Sequence, residues 1–127
     1  MNGNVVDTNV IIKLLSGDDN AVRLFNDAEN IFVPVTVAGE LFYGAYKSSR
    51  IQENLKLFMD FLSMYTTLPI DSDVARVYGE IKTQLFQKGL PIPENDIWIA
   101  ATAKTYKLTL LTFDTHFSNI DGLQLKL

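Results

Sequence analysis

Residues 91–112 read PIPENDIWIAATAKTYKLTLLT. Pro91 and Pro93 fix an extended approach, because the proline ring locks φ, and the spacing then predicts a helix from about Asn95 to Tyr106. Its run Ile97, Trp98, Ile99, Ala100 and Ala101 is apolar nearly all round, the pattern of a buried helix. Leu108 to Thr112 follows as a β-prone strand. A buried helix leading into a strand is one unit of a layered α/β domain, and the rest of the chain repeats the theme.

Toward the N-terminus, Asp71 or Ser72 is expected to cap the longest helix, in which Val74, Val77, Tyr78, Ile81 and Leu85 keep the helical period. Lys88 suits that helix's negative end, and Gly89 before Pro91 stops it. Tyr65 to Ile70 reads as extended, after an amphipathic helix marked by Ile51, Leu55, Phe58 and Leu62. Ile31 to Val33 is a strand ended by Pro34; Thr36 is expected to cap the next helix, whose core stripe is Val37, Leu41 and Ala45. Ala21, Leu24, Phe25 and Ala28 mark a short helix beyond the turn at Ser16–Asn20. Val5 and Val6 run into Asp7 as a first buried strand, with helical spacing from Asn9 to Leu15. At the other end, Leu123 to Leu125 is expected as an edge strand behind a loop from Phe113 to Gly122.

Strands thus alternate with helices. Parallel strands require crossovers, and right-handed crossovers place helices on both faces of a sheet. The fold class expected is α/β: a three-layer domain with a mostly parallel central sheet of four to five strands flanked by helices. The 127 residues are 47% apolar and carry no linker, repeat or low-complexity segment, so residues 1–127 are read as a single domain.

Composition narrows the function classes. Fifteen acidic against eleven basic side chains, net −4, leave no global basic footprint for non-specific nucleic-acid binding, so any such partner must meet a local patch. With no cysteine there are no disulfides, thiolate zinc sites or cysteine nucleophiles, which is compatible with a reducing cytoplasm. No basic leader precedes Asp7, and no apolar run approaches the roughly 18 residues of a membrane span. A soluble cytoplasmic protein with no membrane partner is the expectation.

Ligands of parallel sheets gather at the carboxyl ends of the strands, so the acids placed there matter most. Asp7 ends the first strand, Asp114 follows the fourth, Glu40 sits in the first turns of the helix after strand two, and Asp96 in the first turn of the buried helix. Taken singly, each has an ordinary structural role: Asp7 as a helix cap, Glu40 and Asp96 as charges near helix starts, Asp114 as a turn residue. Together in one pocket they would repel one another and rise in pKa unless a cation neutralised them. Mg2+ or Mn2+, one or two ions, suits an all-oxygen donor set and leaves positions for a phosphate oxygen and a water. Metal-assisted hydrolysis of nucleic acid is the reaction class that follows.

The chain resembles the PIN-domain ribonucleases, and within them the VapC-type toxins of toxin–antitoxin pairs. The resemblance rests on Val5-Val6-Asp7-Thr8-Asn9-Val10-Ile11-Ile12, Pro34-Val35-Thr36-Val37-Ala38-Gly39-Glu40-Leu41, Asn95-Asp96-Ile97-Trp98-Ile99-Ala100-Ala101-Thr102-Ala103 and Leu111-Thr112-Phe113-Asp114-Thr115-His116-Phe117, in an order and spacing that cover nearly the whole chain. It implies a homodimer, an acidic site holding Mg2+ or Mn2+, endonucleolytic cleavage of RNA, and a cognate antitoxin. Asp7, Glu40 and Asp96 match the family's three central acids, Asp114 its more variable fourth, and Thr112 a hydroxyl position often found near the metal. Thr8 and Asn9 flank the first acid as supporting residues. Phe113 departs from the pattern, standing where many members carry a polar residue. Cleavage by attack of water in line at phosphorus would leave 3′-hydroxyl and 5′-phosphate ends.

Other residues carry less. Thr36, Glu40, Tyr43 and Lys47 share one helical face, so Tyr43 and Lys47 are candidates to meet a base and a phosphate, against the ordinary alternative of a solvated face. Lys13 and Arg50 belong to no compact basic run. His116, the only histidine, is read as a loop hydrogen bond rather than a site residue. Trp98 is read as packing, and Phe25, Phe42, Tyr46 and Phe61 as aromatics suited to a dimer or antitoxin interface. Two rival functions remain. A phosphoryl-transfer or receiver-like domain fits poorly: haloacid-dehalogenase-type phosphatases need an Asp where Asn9 stands, and Leu108 to Thr112 lacks the late Lys of a receiver. A catalytically idle PIN scaffold that binds RNA or protein would be marked by a missing acid, and none is missing.

Overall fold

The computed structural model describes residues 2–126. Five strands form one sheet: β1 (Asn4–Val6), β2 (Ile31–Pro34), β3 (Thr66–Leu68), β4 (Thr109–Leu111) and β5 (Leu125–Lys126), in the order β3-β2-β1-β4-β5. Every pairing is parallel, with Val5 opposite Phe32 on one side and Leu110 on the other. The helices are α1 (Thr8–Leu15), α2 (Asp19–Asn26), α3 (Val35–Tyr46), α4 (Ile51–Leu62), α5 (Ser72–Lys88) and α6 (Glu94–Thr105). From β1 the chain winds outward through β2 to β3, then crosses back so that β4 pairs with β1 on its other edge. That reversal makes the gap beyond the carboxyl ends of β1 and β4 the crevice where doubly wound sheets bind ligands.

Beyond their first residues, Asn4 and Thr109, the central strands β1 and β4 are apolar because both faces are covered. Val5, Val6, Val33, Leu110 and Leu111 are fully enclosed, as are Ile99, Ala100, Ala101 and Ala103 of α6. The stripe Val37, Leu41 and Ala45 turns α3 inward as its spacing predicts. α5 is capped by Asp71, whose carboxylate accepts from the Val74 N–H at 3.0 Å, and closes at Gly89 in the left-handed conformation at φ 66°. Trp98 packs as expected, stacked on Tyr78 with ring centroids 3.8 Å apart and planes 9° from parallel.

Four local expectations need correction. Thr36 does not cap α3: the helix starts at Val35, with Pro34 in the cap position and no side-chain bond, because φ of Pro34 is already fixed for a helix entry. α6 likewise begins one residue early, at Glu94 behind Pro93. The segment read as a plain loop after Phe113 contains a 3-10 turn at Thr115–Asn119, anchored by Phe117, which is fully buried. Among the four aromatics assigned to an interface, Phe61 is buried and forms a cluster with Phe25 and Tyr65, centroids 5.0 to 6.0 Å apart, and Phe42 packs against the core. Only Tyr46 of that set stands exposed.

Candidate active site

Asp7 leaves β1 at the point where the strand becomes α1, and its carboxylate does two jobs. One oxygen accepts from the Thr8 N–H at 2.8 Å, capping the helix; the other accepts from the Thr112 hydroxyl at 2.7 Å. Thr112 follows β4 directly and is fully buried, and its hydroxyl in turn accepts from the Asp114 N–H at 3.0 Å. One hydroxyl therefore ties the ends of two neighbouring strands together and aims both aspartates.

Asn9 completes this half of the site. Its amide oxygen accepts from the Phe113 N–H at 3.3 Å, and its amide nitrogen donates to Asp114 at 3.2 Å. The polar side chain that Phe113 lacks is thus supplied from α1, while the Phe113 ring receives the Lys13 ammonium 4.9 Å from its centroid. Thr8 reaches the other way, its hydroxyl donating to Glu40 at 2.8 Å. Glu40 is the sixth residue of α3, within its first two turns, half-buried beside the core stripe.

Asp96 enters from the first turn of α6, and His116 from the 3-10 turn, with Nε2 2.8 Å from the Asp96 carboxylate. The approach is close but misaligned: Nε2 is shielded from solvent and makes no hydrogen bond of acceptable angle. The sequence reading omitted His116 from the site. His116 is not among the residues lining the cleft on which the acids converge; the 3-10 turn after Asp114 sets its ring behind Asp96, and the signal available was only its nearness in sequence to Asp114.

The four acids converge on one open cleft of about 710 Å³, lined also by Thr8, Asn9, Lys13, Glu94 and Asn95. Glu94 is paired with Lys82 at 3.2 Å. Lys13 is the one cation lining the cleft among the described residues. Tyr43 and Lys47 are not among the lining residues; they are exposed on α3, with the Lys47 ammonium over the Tyr43 ring at 4.8 Å.

The electrostatics follow from burial and crowding. Asp7 is 3% exposed, and its pKa is pushed up to about 6, chiefly by burial; the bonds from Thr112 and Thr8 pull it down, while Asp96 and Asp114 add repulsion. Asp96 is also raised, first by burial, with His116 opposing and Glu40 and Asp114 reinforcing. Ionised together at neutral pH, these groups carry an uncompensated charge that a cation would relieve. Donor atoms of Asp96, Asp114 and His116 lie within 4.8 Å of one another. Carboxylates around a cleft with an unsatisfied buried nitrogen fit a divalent ion.

No described helix is long and apolar enough to cross a membrane. The family model for the PIN domain matches residues 5–123. A ribonuclease VapC2 of Haemophilus influenzae is 34% identical over 110 residues, covering 85% of this chain and 83% of the relative. Among solved structures, the VapBC2 complex of Rickettsia felis, bound to a DNA fragment from its promoter, contains a chain 30% identical, with a TM-score of 0.86 and coverage of 99% of this chain and 98% of that one. DNA-bound VapBC from Salmonella typhimurium gives 28% identity and a TM-score of 0.90 over the same shares. The sheet order, the carboxylate cleft at the β1–β4 junction and these matches agree, and the chain belongs to the PIN-domain family, among its VapC-type ribonucleases.

Proposed function

We propose that this protein is a divalent-metal-dependent endoribonuclease, the toxin of a toxin–antitoxin pair, acting in the cytoplasm. The observation that carries the reading is the convergence of Asp7, Glu40, Asp96 and Asp114, from four separate segments, on one cleft where two of them are held above their ordinary pKa. A structural role for each acid alone does not explain why the fold brings all four together against their mutual repulsion. The alternative of an idle scaffold gains nothing from the geometry, because all four carboxylates reach the cleft and three are oriented by dedicated side chains.

Asp7, Asp96 and Asp114 would hold Mg2+ or Mn2+, one or two ions, with Glu40 holding the second or orienting water; the cation supplies water activation and neutralises the phosphodiester. The chain's own residues do the rest. Thr112 and Thr8 hold Asp7 in one orientation, Asn9 steers Asp114, and Thr8 engages one oxygen of Glu40. Lys13, the cation at the rim, is suited to draw in the phosphate ahead of the scissile bond, and the exposed Tyr43–Lys47 pair extends that face for a further base and phosphate. Water adds to phosphorus, the bond to the 3′ oxygen breaks, and that oxygen takes a proton, leaving 3′-hydroxyl and 5′-phosphate ends.

A second copy of the chain and the antitoxin are the proposed protein partners. Tyr46, Met59 and Met64 leave apolar surface exposed on and just beyond the α3–α4 pair, the kind of area an interface core covers. The decisive test is RNA cleavage by protein freed of any copurified partner, with Mn2+, Mg2+ or EDTA. Wild type is expected to cut only with metal, and Asp7→Asn, prepared identically, to lose at least about a thousandfold, the scale of removing one preorganised electrostatic group. Equal cutting by the variant, or products ending in 2′,3′-cyclic phosphate, would overturn the assignment.

A further inference from the structure

We propose that His116 Nε2 is a donor to the cation in the cleft, a nitrogen among carboxylate oxygens, and that it biases the site toward Mn2+ over Mg2+. The inference rests on the metal-dependent reading above and adds a residue and a selectivity to it.

Three observations support it. Nε2 is shut off from solvent and has no aligned hydrogen-bond partner, although it lies 2.8 Å from Asp96 Oδ2. A buried polar nitrogen left in that condition costs free energy, so its orientation calls for a ligand that the protein itself does not provide. The donor atoms of Asp96, Asp114 and His116 lie within 4.8 Å of one another. Around an octahedral ion with ligands at about 2.1 Å, neighbouring donors stand about 3 Å apart and opposite ones about 4.2 Å, so the trio needs only a small contraction to share one ion. Finally, the imidazole is not a swinging surface group. It sits on a 3-10 turn two residues after Asp114, its ring 4.7 Å from that of Phe117, which is fully buried.

The competing arrangement is an imidazolium simply paired with Asp96. Such a pair would be expected to make a hydrogen bond to the carboxylate, and Nε2 makes none of acceptable geometry despite the 2.8 Å approach. Magnesium favours oxygen donors, whereas imidazole nitrogen suits the first-row transition ions, so one nitrogen in the set discriminates between them.

The test uses the full chain, stripped of partner and metal, loaded with Mn2+ and read by pulsed electron paramagnetic resonance, with affinities for Mn2+ and Mg2+ from calorimetry. His116 is the sole histidine, so a directly bound imidazole nitrogen has one source. Wild type should show that nitrogen coupling. His116→Phe, which keeps a ring against Phe117, should abolish it, weaken Mn2+ about tenfold and change Mg2+ less than about threefold. Circular dichroism checks the fold; if the Phe variant fails to fold, His116→Gln serves, since its amide can bind only through oxygen. Bound Mn2+ without nitrogen coupling in wild type, coupling that survives in the variant, or equal losses for both ions would each overturn this inference alone. No Mn2+ binding by wild type would overturn the metal-dependent reading beneath it.

Discussion

The six helices of this protein divide by what the residue at their start faces, with Arg50 of α4, which makes no side-chain cap, standing apart from both groups. Asp18 and Asp71, which start α2 and α5 away from the cleft, each accept from the N–H three residues on at 3.0 Å. Asp7 caps α1 with the same kind of carboxylate but is enclosed at the cleft and shared with Thr112. Pro34 and Pro93, which start α3 and α6 and so deliver Glu40 and Asp96, make no side-chain cap at all. The aspartate caps of α2 and α5 serve helix stability, whereas at the three helices that enter the cleft the local bond is shared or absent and the acids lie beside one another. The difference teaches that an aspartate's place at a helix start does not fix its role, and that burial and its neighbours do.

The comparison is sharpest in the sign of a mutation. Asp7→Asn should stabilise the metal-free protein at pH 7.5 by about 1–3 kcal/mol, the upper figure following from a rise of the pKa to about 6 at about 1.36 kcal/mol per unit. The folded state holds the Asp7 proton more tightly than the unfolded chain does. Its stabilising contribution is therefore complete below the ordinary value of 3.8 and is lost as pH rises through about 6. Thermal melts between pH 7.5 and 5 should show wild type gaining on Asn as the pH falls, while the raised Asp96 stabilises both proteins in that direction. Parallel melting curves at both pH values would break the comparison.

Removing an outer cap should do the reverse. Asp71→Ala is expected to cost about 1 kcal/mol in urea unfolding, with metal-dependent cleavage within twofold of wild type. A large loss of cleavage there would show that α5 is coupled to the cleft after all. The smallest effect is expected at Pro93→Ser. The new hydroxyl offers α6 a cap of about 1 kcal/mol, while loss of the ring returns about 0.4–1 kcal/mol of entropy to the unfolded chain, so stability should hardly move. A clear gain would mean that the missing cap is a tolerated defect with no link to the site.

What was legible in the sequence was whatever depends on neighbours along the chain. The period of α5, its Asp71 start and its Gly89 stop are local chemistry, and so is the buried run of α6. Asp7 and Asp114 were legible because they follow β1 and β4 at their carboxyl ends, and Glu40 and Asp96 because they lie in the opening turns of α3 and α6, where the α/β alternation places them toward the same edge. Thr36 misled because a hydroxyl two residues after a proline looks like a cap, yet Pro34 already sets the entry geometry. Phe25 and Phe61 looked surplus because their partner Tyr65 lies on a different segment, and the cluster exists only once α2 and α4 are packed. His116, Asn9 and Lys13 gained their site contacts in the same way. Asn9 bonds across more than a hundred residues to Phe113 and Asp114, and no periodicity reports a contact of that range.

The bond between Thr112 and Asp7 joins residues 105 positions apart and also sets the cleft's timetable during synthesis. A chain emerging from the ribosome exposes Asp7, Glu40 and then Asp96 long before Thr112 and Asp114 have been added. Until β4 arrives, β1 lacks its second neighbour, and the buried carboxylate that later anchors the site has no hydroxyl to hold it. The cleft is therefore complete only once β4 and the residues that follow it have docked.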